Sequence, residues 1–133
     1  MILVDTNVII DVMTVDKTWF DWSSEQLSQS RRSGSLHINE FGYAELAVGA
    51  ETRNDLDTAL NELKITLERT PKEALFVAAK AFYRYRSAGG PRLTILPDFF
   101  IGAHAEFSRC PLLTRDPRRF RTYFPKVQLV TPP

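Results

Sequence analysis

Apolar positions fall in short, unevenly spaced blocks along this chain, and the spacing changes from block to block. Met1-Ile2-Leu3-Val4 is apolar without alternation and stops at Asp5, as suits a strand buried on both faces of a helix-covered parallel sheet. Thr6 and Asn7 are suited to turning the chain and capping a helix that begins with the apolar run Val8 to Met13. A second helix is predicted from about Thr18 to Arg32, with Trp19, Phe20, Trp22 and Leu27 as a weak apolar stripe and Ser33-Gly34-Ser35 as its stop. Leu36-His37-Ile38 alternates and reads as a second strand ending at Asn39, with His37 on the opposite face from its neighbours.

Asn39 is an N-cap for a helix from about Glu40 to Ala50 whose apolar surface holds Phe41, Tyr43, Leu46 and Val48. Leu56, Leu60 and Leu63 follow at helical spacing within Thr52 to Lys64. Ile65-Thr66-Leu67 reads as a short extended link. Thr70-Pro71 then starts a helix that runs to about Ser87, and Ala88-Gly89-Gly90-Pro91 is the strongest break in the chain. Pro97-Asp98 opens a helix to Ser108, Cys110 to Thr114 is a buried-strand candidate, and Arg115-Asp116-Pro117 is a polar turn. Phe120, Tyr123 and Phe124 close the core around a helical turn, and Val127 to Val130 forms a last strand. Strands separated by helices predict an α/β fold, with right-handed crossovers placing the strand ends on one edge of a short parallel sheet.

A chain of 133 residues suits one domain spanning 1–133, and 44% hydrophobic with 25% charged residues is an ordinary globular composition. No stretch approaches the roughly 20 apolar residues of a membrane helix, and the apolar start lacks a basic leader, so a cytoplasmic protein is expected. Cys110 is the only cysteine, which excludes an internal disulfide and a thiolate metal cage. The formal net charge of +1 argues against a uniformly basic nucleic-acid coat, but six of the seven charges from Arg109 to Lys126 are positive.

Acids recur at strand ends and helix starts. Asp5 and Asp116 each follow a predicted strand, Asp98 opens a helix, and Glu45 lies about two turns into the helix after the second strand, so all four can face one cleft. Clustered carboxylates repel one another, and a divalent cation resolves that conflict. Oxygen ligands without His or Cys clusters point to Mg²⁺ or Mn²⁺ rather than Zn²⁺. Such a site suits phosphodiester hydrolysis by metal-activated water.

Met1 to Asp11, Tyr43-Ala-Glu45-Leu, Asp98-Phe-Phe-Ile-Gly-Ala-His-Ala105 and Leu113-Thr-Arg-Asp116 with Arg119-Phe120 resemble, in order, the motifs of PIN domains. The closest resemblance is to the VapC toxin ribonucleases of bacterial toxin–antitoxin pairs, and it covers almost the whole chain. It implies an α/β/α sandwich with a short central parallel sheet. It also implies that Asp5, Glu45, Asp98 and Asp116 bind Mg²⁺ or Mn²⁺ and cut RNA, with a VapB-type antitoxin as partner and a homodimer as the usual assembly. Trp19, Phe20 and Trp22 are the expected part of a partner surface.

Within this pattern Glu45 is preferred over Glu40, since residues five apart cannot share one helical face. Asp116 is expected to act on metal or water less directly than the other acids. Thr6, Asn7 and Thr114 are candidates for orienting the carboxylates. Asp11 reads as a helix-surface or salt-bridge acid. Arg115, Arg118, Arg119 and Arg121 flank Asp116 and are candidates for holding RNA phosphates. His104 is six residues after Asp98, about 240° round the helix, and is expected to be structural, as is His37. The rival readings are a PIN nuclease outside toxin systems, a non-catalytic binding module, and phosphoaspartyl chemistry. The phosphatase form of the last needs a second Asp where this chain has Asn7.

Overall fold

The computed structural model describes residues 1–91 and 95–133. Strand β1 (Ile2–Val4) is the middle of a five-stranded sheet, flanked by β2 (Leu36–Ile38) and β3 (Ile65–Leu67) on one side and by β4 (Leu112–Leu113) and β5 (Leu129–Val130) on the other. Every neighbouring pair is parallel, with Ile2 opposite Leu36 and Leu3 opposite Leu112. Helices α1 (Thr6–Met13) and α2 (Phe20–Ser33) connect β1 to β2, and α3 (Glu40–Val48) and α4 (Arg53–Glu62) connect β2 to β3. Helices α5 (Lys72–Ser87) and α6 (Pro97–Ser108) lead to β4, and α7 (Arg118–Tyr123) leads to β5.

Side-chain alternation along the strands divides the core in two. Ile2, Val4, Leu36, Ile38 and Leu113 pack with Val8, Ile9, Leu27, Leu46, Leu56 and Leu60 from α1 to α4. Leu3 and Leu112 point the other way, against Ala78 and Ala81 of α5, Phe99 and Ile101 of α6, and Phe120 and Phe124. The central strands β1 and β4 are therefore buried on both faces, which is why they read as unbroken apolar runs. Each fully buried Leu or Phe contributes about 1.5–3 kcal/mol of transfer free energy. Among the described residues, no helix is long and apolar enough to cross a membrane.

Gly102 is required by this packing. A Cβ there would lie 2.3 Å from the ring of Phe124, which is fully buried.

Several boundaries differ from expectation. Helix α1 starts at Thr6 rather than Val8, and Asp5 takes the extended N-cap position, so Thr6 and Asn7 are helical instead of forming a turn. Helix α2 starts at Phe20 because the Asp16 side chain accepts from the amides of Thr18 and Trp19, fixing a turn there. The expected link Ile65-Thr66-Leu67 is an edge strand paired with β2, and only Ile65 of the three is buried.

The strand order reverses at β1, whose successor β2 lies on one side and β4 on the other. In open parallel sheets the crevice beyond the carboxyl ends at such a reversal is the common ligand site. Asp5 ends β1 and Thr114 ends β4. The Asp5 amide donates to Leu113 O at 2.8 Å and the Thr114 amide to Val130 O at 3.0 Å, so the ladder fixes both residues at that crevice.

Candidate active site

Asp5 is 5% exposed, and its carboxylate accepts a 2.8 Å hydrogen bond from the Thr114 hydroxyl across the β1–β4 gap. Burial, then the charge of Asp98, and, more weakly, that of Glu45 push the Asp5 carboxyl from its ordinary 3.8 up to about 7, against the Thr114 hydrogen bond. Three of the four acids are therefore close enough to feel one another.

Thr114 is the hub of this edge. Its hydroxyl oxygen also accepts from Asn7 Nδ2 at 3.4 Å and from the Asp116 amide at 3.1 Å. Asn7 Oδ1 accepts in turn from the Arg115 amide at 3.5 Å. The first turn of α1 thus holds the loop after β4, which carries Asp116.

Glu45 enters from α3, where Thr6 Oγ1 donates to Glu45 Oε1 at 3.3 Å. Burial and the Asp98 charge raise its carboxyl above the ordinary range against that Thr6 bond. Glu40 lies elsewhere, its carboxylate accepting from the amide and hydroxyl of Thr70, each at 2.9 Å. Partial burial raises the Glu40 carboxyl, but the backbone and Thr70 hydrogen bonds outweigh that and leave it low.

Helix α3 is set by its cap. Asn39 Oδ1 accepts from the Phe41 and Gly42 amides, while Asn39 Nδ2 donates to His104 Nδ1 at 3.3 Å. His104 is fully buried, and burial lowers its pKa, which keeps that ring nitrogen free to accept. It is structural, as expected, and joins α6 to the start of the helix that delivers Glu45. His37 is also apart from the acids, its Nε2 lying 2.8 Å from Ser35 Oγ.

The other two acids are held by arginines. Asp98, the second residue of α6, accepts from Arg119 at 2.9 Å. Burial raises its carboxyl, Arg119 lowers it, and Asp116 raises it again, for a net rise. The Arg119 guanidinium lies over Tyr85 at 5.5 Å and Phe99 at 5.8 Å. Asp116 is exposed and takes a two-pronged pair from Arg118 at 3.0 Å, which holds its carboxyl low. A cleft of about 460 Å³ opens over Asp98, Asp116, Arg118 and Arg119, walled by Tyr85 and Tyr123. Among the described residues, no three acidic, His or Cys side chains are gathered tightly enough to enclose an ion between them.

The four arginines expected to hold phosphates thus occupy different positions. Arg115 is committed to Asp11, with Nε 2.7 Å and a terminal nitrogen 3.1 Å from the two carboxylate oxygens, and it stacks over Trp19 at 5.4 Å. Arg118 and Arg119 face the cleft. Arg121 is exposed and makes no ion pair among the described residues.

Of the two expected alternatives Asp11 is the salt-bridge acid, 1% exposed rather than on the helix surface, and Ser23 Oγ also donates to it at 2.8 Å. Residues 7 and 11 share a helical face and both meet the loop after β4, although nothing local in the sequence pointed to Arg115 as the partner of Asp11. Trp22 packs against the core beside Trp19, the two rings 6.0 Å apart edge to face. The pairing of Asn39 with His104 and the aromatic bed under Arg119 carried no comparable signal, since each joins residues far apart in sequence.

The fold and the acids define a doubly wound α/β protein with a carboxylate site at the carboxyl edge of its parallel sheet. The PIN domain family model matches residues 2–125, and the chain belongs to that family, whose members are nucleases. No curated protein sequence matches it significantly. Among solved structures it is similar to VapBC2 from Rickettsia felis, bound to a DNA fragment from their promoter. That match has TM-score 0.73 and 16% identity, and covers 98% of each chain. It is also similar to VapBC-1 from nontypeable Haemophilus influenzae, at TM-score 0.71 and 21% identity over 98% of each chain. A third likeness is to DNA-bound VapBC from Salmonella typhimurium, at TM-score 0.69 and 18% identity over 98% of this chain and 96% of that one. At these identities the likeness is one of fold.

Proposed function

We propose that this chain is a Mg²⁺- or Mn²⁺-dependent endoribonuclease and the toxin of a toxin–antitoxin pair. The observation that carries the reading is Asp5, a carboxylate 5% exposed at the point where the strand order reverses, held by Thr114 and near enough to Asp98 and Glu45 to feel their charges. An oxygen-only set of mutually repelling acids fits a hard divalent cation, whose charge would offset the repulsion and draw together side chains that are not gathered round an ion here.

Asp5, Glu45 and Asp98 would hold the cation, and Asp116, exposed and further out, would act on it through water. When bound, the cation supplies an activated water and neutralises charge developing on the phosphate. Thr114 orients Asp5 through one of its oxygens, and Thr6 does the same for Glu45. Asn7 fixes Thr114 and the loop that carries Asp116. Arg118, Arg119 and Arg121 bind the phosphates of the RNA strand, whereas Arg115 serves by holding the loop through Asp11.

The partner reading rests on the complexes named above, each a VapBC assembly, and implies a VapB-type antitoxin for this chain. A homodimer and a cytoplasmic location follow from the same reading. The test is incubation of the purified protein with structured cellular RNAs, with and without Mg²⁺ or Mn²⁺, beside Asp5→Asn and Asp98→Asn. Metal-dependent cleavage by the wild type alone is expected. Equal cleavage by the variants, or cleavage indifferent to chelator, overturns the reading.

A further inference from the structure

Among the described residues, two of the four acids have a cationic partner, and both partners come from the short helix α7. Arg118 sets Nε and a terminal nitrogen each 3.0 Å from the two oxygens of Asp116. Arg119 sets a terminal nitrogen 2.9 Å from Asp98 Oδ2.

Their anchoring differs. The Arg118 side chain is 87% exposed and has no hydrogen-bond acceptor but Asp116 among the described residues. Arg119 is held from beneath by the rings of Tyr85 and Phe99, so it can leave Asp98 without leaving the cleft. Arg121, on the same helix, touches neither acid.

A guanidinium seated on a carboxylate covers the oxygens that a hard cation needs, and once displaced it presents the same fork to a phosphate. Both guanidiniums line the open cleft beside the acids, where an RNA backbone would pass.

We propose that Arg118 and Arg119 are built-in counter-ions of the carboxylate site, Arg119 displaced from Asp98 by the divalent cation and Arg118 from Asp116 by the water through which that acid would act on it, and both thereby handed to the phosphates of the RNA strand. This rests on the metal-dependent reading above. It makes metal and RNA binding mutually supportive, because the cation frees the groups that the strand uses and, by linkage, the strand favours the cation. Without metal, the same two side chains offset the charges of Asp116 and Asp98.

The test is Mn²⁺ binding to the purified full chain without RNA, by titration calorimetry, for wild type, Asp5→Asn, Arg118→Ala, Arg119→Gln and Arg121→Ala. Gln keeps a flat polar head over Tyr85 and Phe99. Arg121→Ala removes the same unit charge from α7 without releasing an acid, and so measures the long-range effect alone. R118A and R119Q are expected to bind Mn²⁺ about three- to fivefold tighter than wild type, with R121A within about twofold. In the wild type, Mg²⁺ should accelerate exchange of the Arg118 Nε–H with water. R118A and R119Q binding no tighter than R121A overturns the proposal while the metal site stands. A wild type that binds no Mn²⁺, or a D5N variant that binds it equally well, overturns the metal-site reading itself.

Discussion

Replacing Asp5 by Asn should stabilise the metal-free protein, and by more at high pH than at low. The folded state holds the Asp5 carboxyl at about 7, against an ordinary 3.8. Below 3.8 both states are protonated and the site costs nothing. As pH rises from about 4 to 7 the unfolded chain releases a proton that the folded chain retains, so stability falls, and it levels off once the folded group ionises.

At 1.36 kcal/mol per pH unit, the cost is about 4 kcal/mol at pH 8 and about 2 kcal/mol at pH 5. Asn removes the pH-dependent part but adds a fixed cost, because its amide hydrogens need partners beside Thr114. The difference between the two pH values cancels that cost. Urea unfolding in chelator should therefore show D5N gaining about 2–3 kcal/mol more over wild type at pH 8 than at pH 5. An equal effect at both pH values would refute the account of Asp5 as a buried, repelled carboxyl.

Other consequences follow from the same contacts. Thr114→Val deletes a hydrogen bond that holds the Asp5 carboxyl down, so the acid limb of the cleavage profile against pH should move to higher pH. Arg115→Ala leaves Asp11, whose side chain is 2% exposed, with Ser23 as its remaining side-chain partner among the described residues. It should cost about 2–4 kcal/mol in chemical denaturation. Gly102→Ala drives a methyl into the buried Phe124 ring and should cost about 1–3 kcal/mol, seen as a lowered Tm.

Much of the fold could be read from the sequence because the central strands are buried on both faces. Ile2-Leu3-Val4 has to be apolar throughout, and a charge at its end marks where the strand meets the crevice. The strand Ile65–Leu67 was harder to read because an edge position leaves Thr66 and Leu67 exposed, and a half-exposed triplet resembles a link. The positions of Asp5, Glu45 and Asp98 follow from strand ends and helix periodicity, which are local properties.

What joins those positions is not local. Asp11 looks like any helix-surface acid until the loop after β4 brings Arg115 across 104 residues of sequence. The arginines after Asp116 read alike as a basic run. In three dimensions one neutralises Asp11, two cover acids of the site and one faces solvent. Only the strand order, with β4 returning beside β1, separates those roles.

If these acids position a metal-activated water for attack on RNA, the ends of the cleavage products reveal it. A labelled RNA carrying a single 2′-deoxynucleotide at the cut site, incubated with wild-type protein and Mn²⁺, distinguishes attack by water from attack by the neighbouring 2′-hydroxyl. Attack by water predicts that this substrate is still cut, that the unmodified RNA yields no 2′,3′-cyclic phosphate, and that both cleavages disappear in Asp98→Asn. Loss of cleavage on the 2′-deoxy substrate, with cyclic phosphate ends on the unmodified RNA, would contradict it.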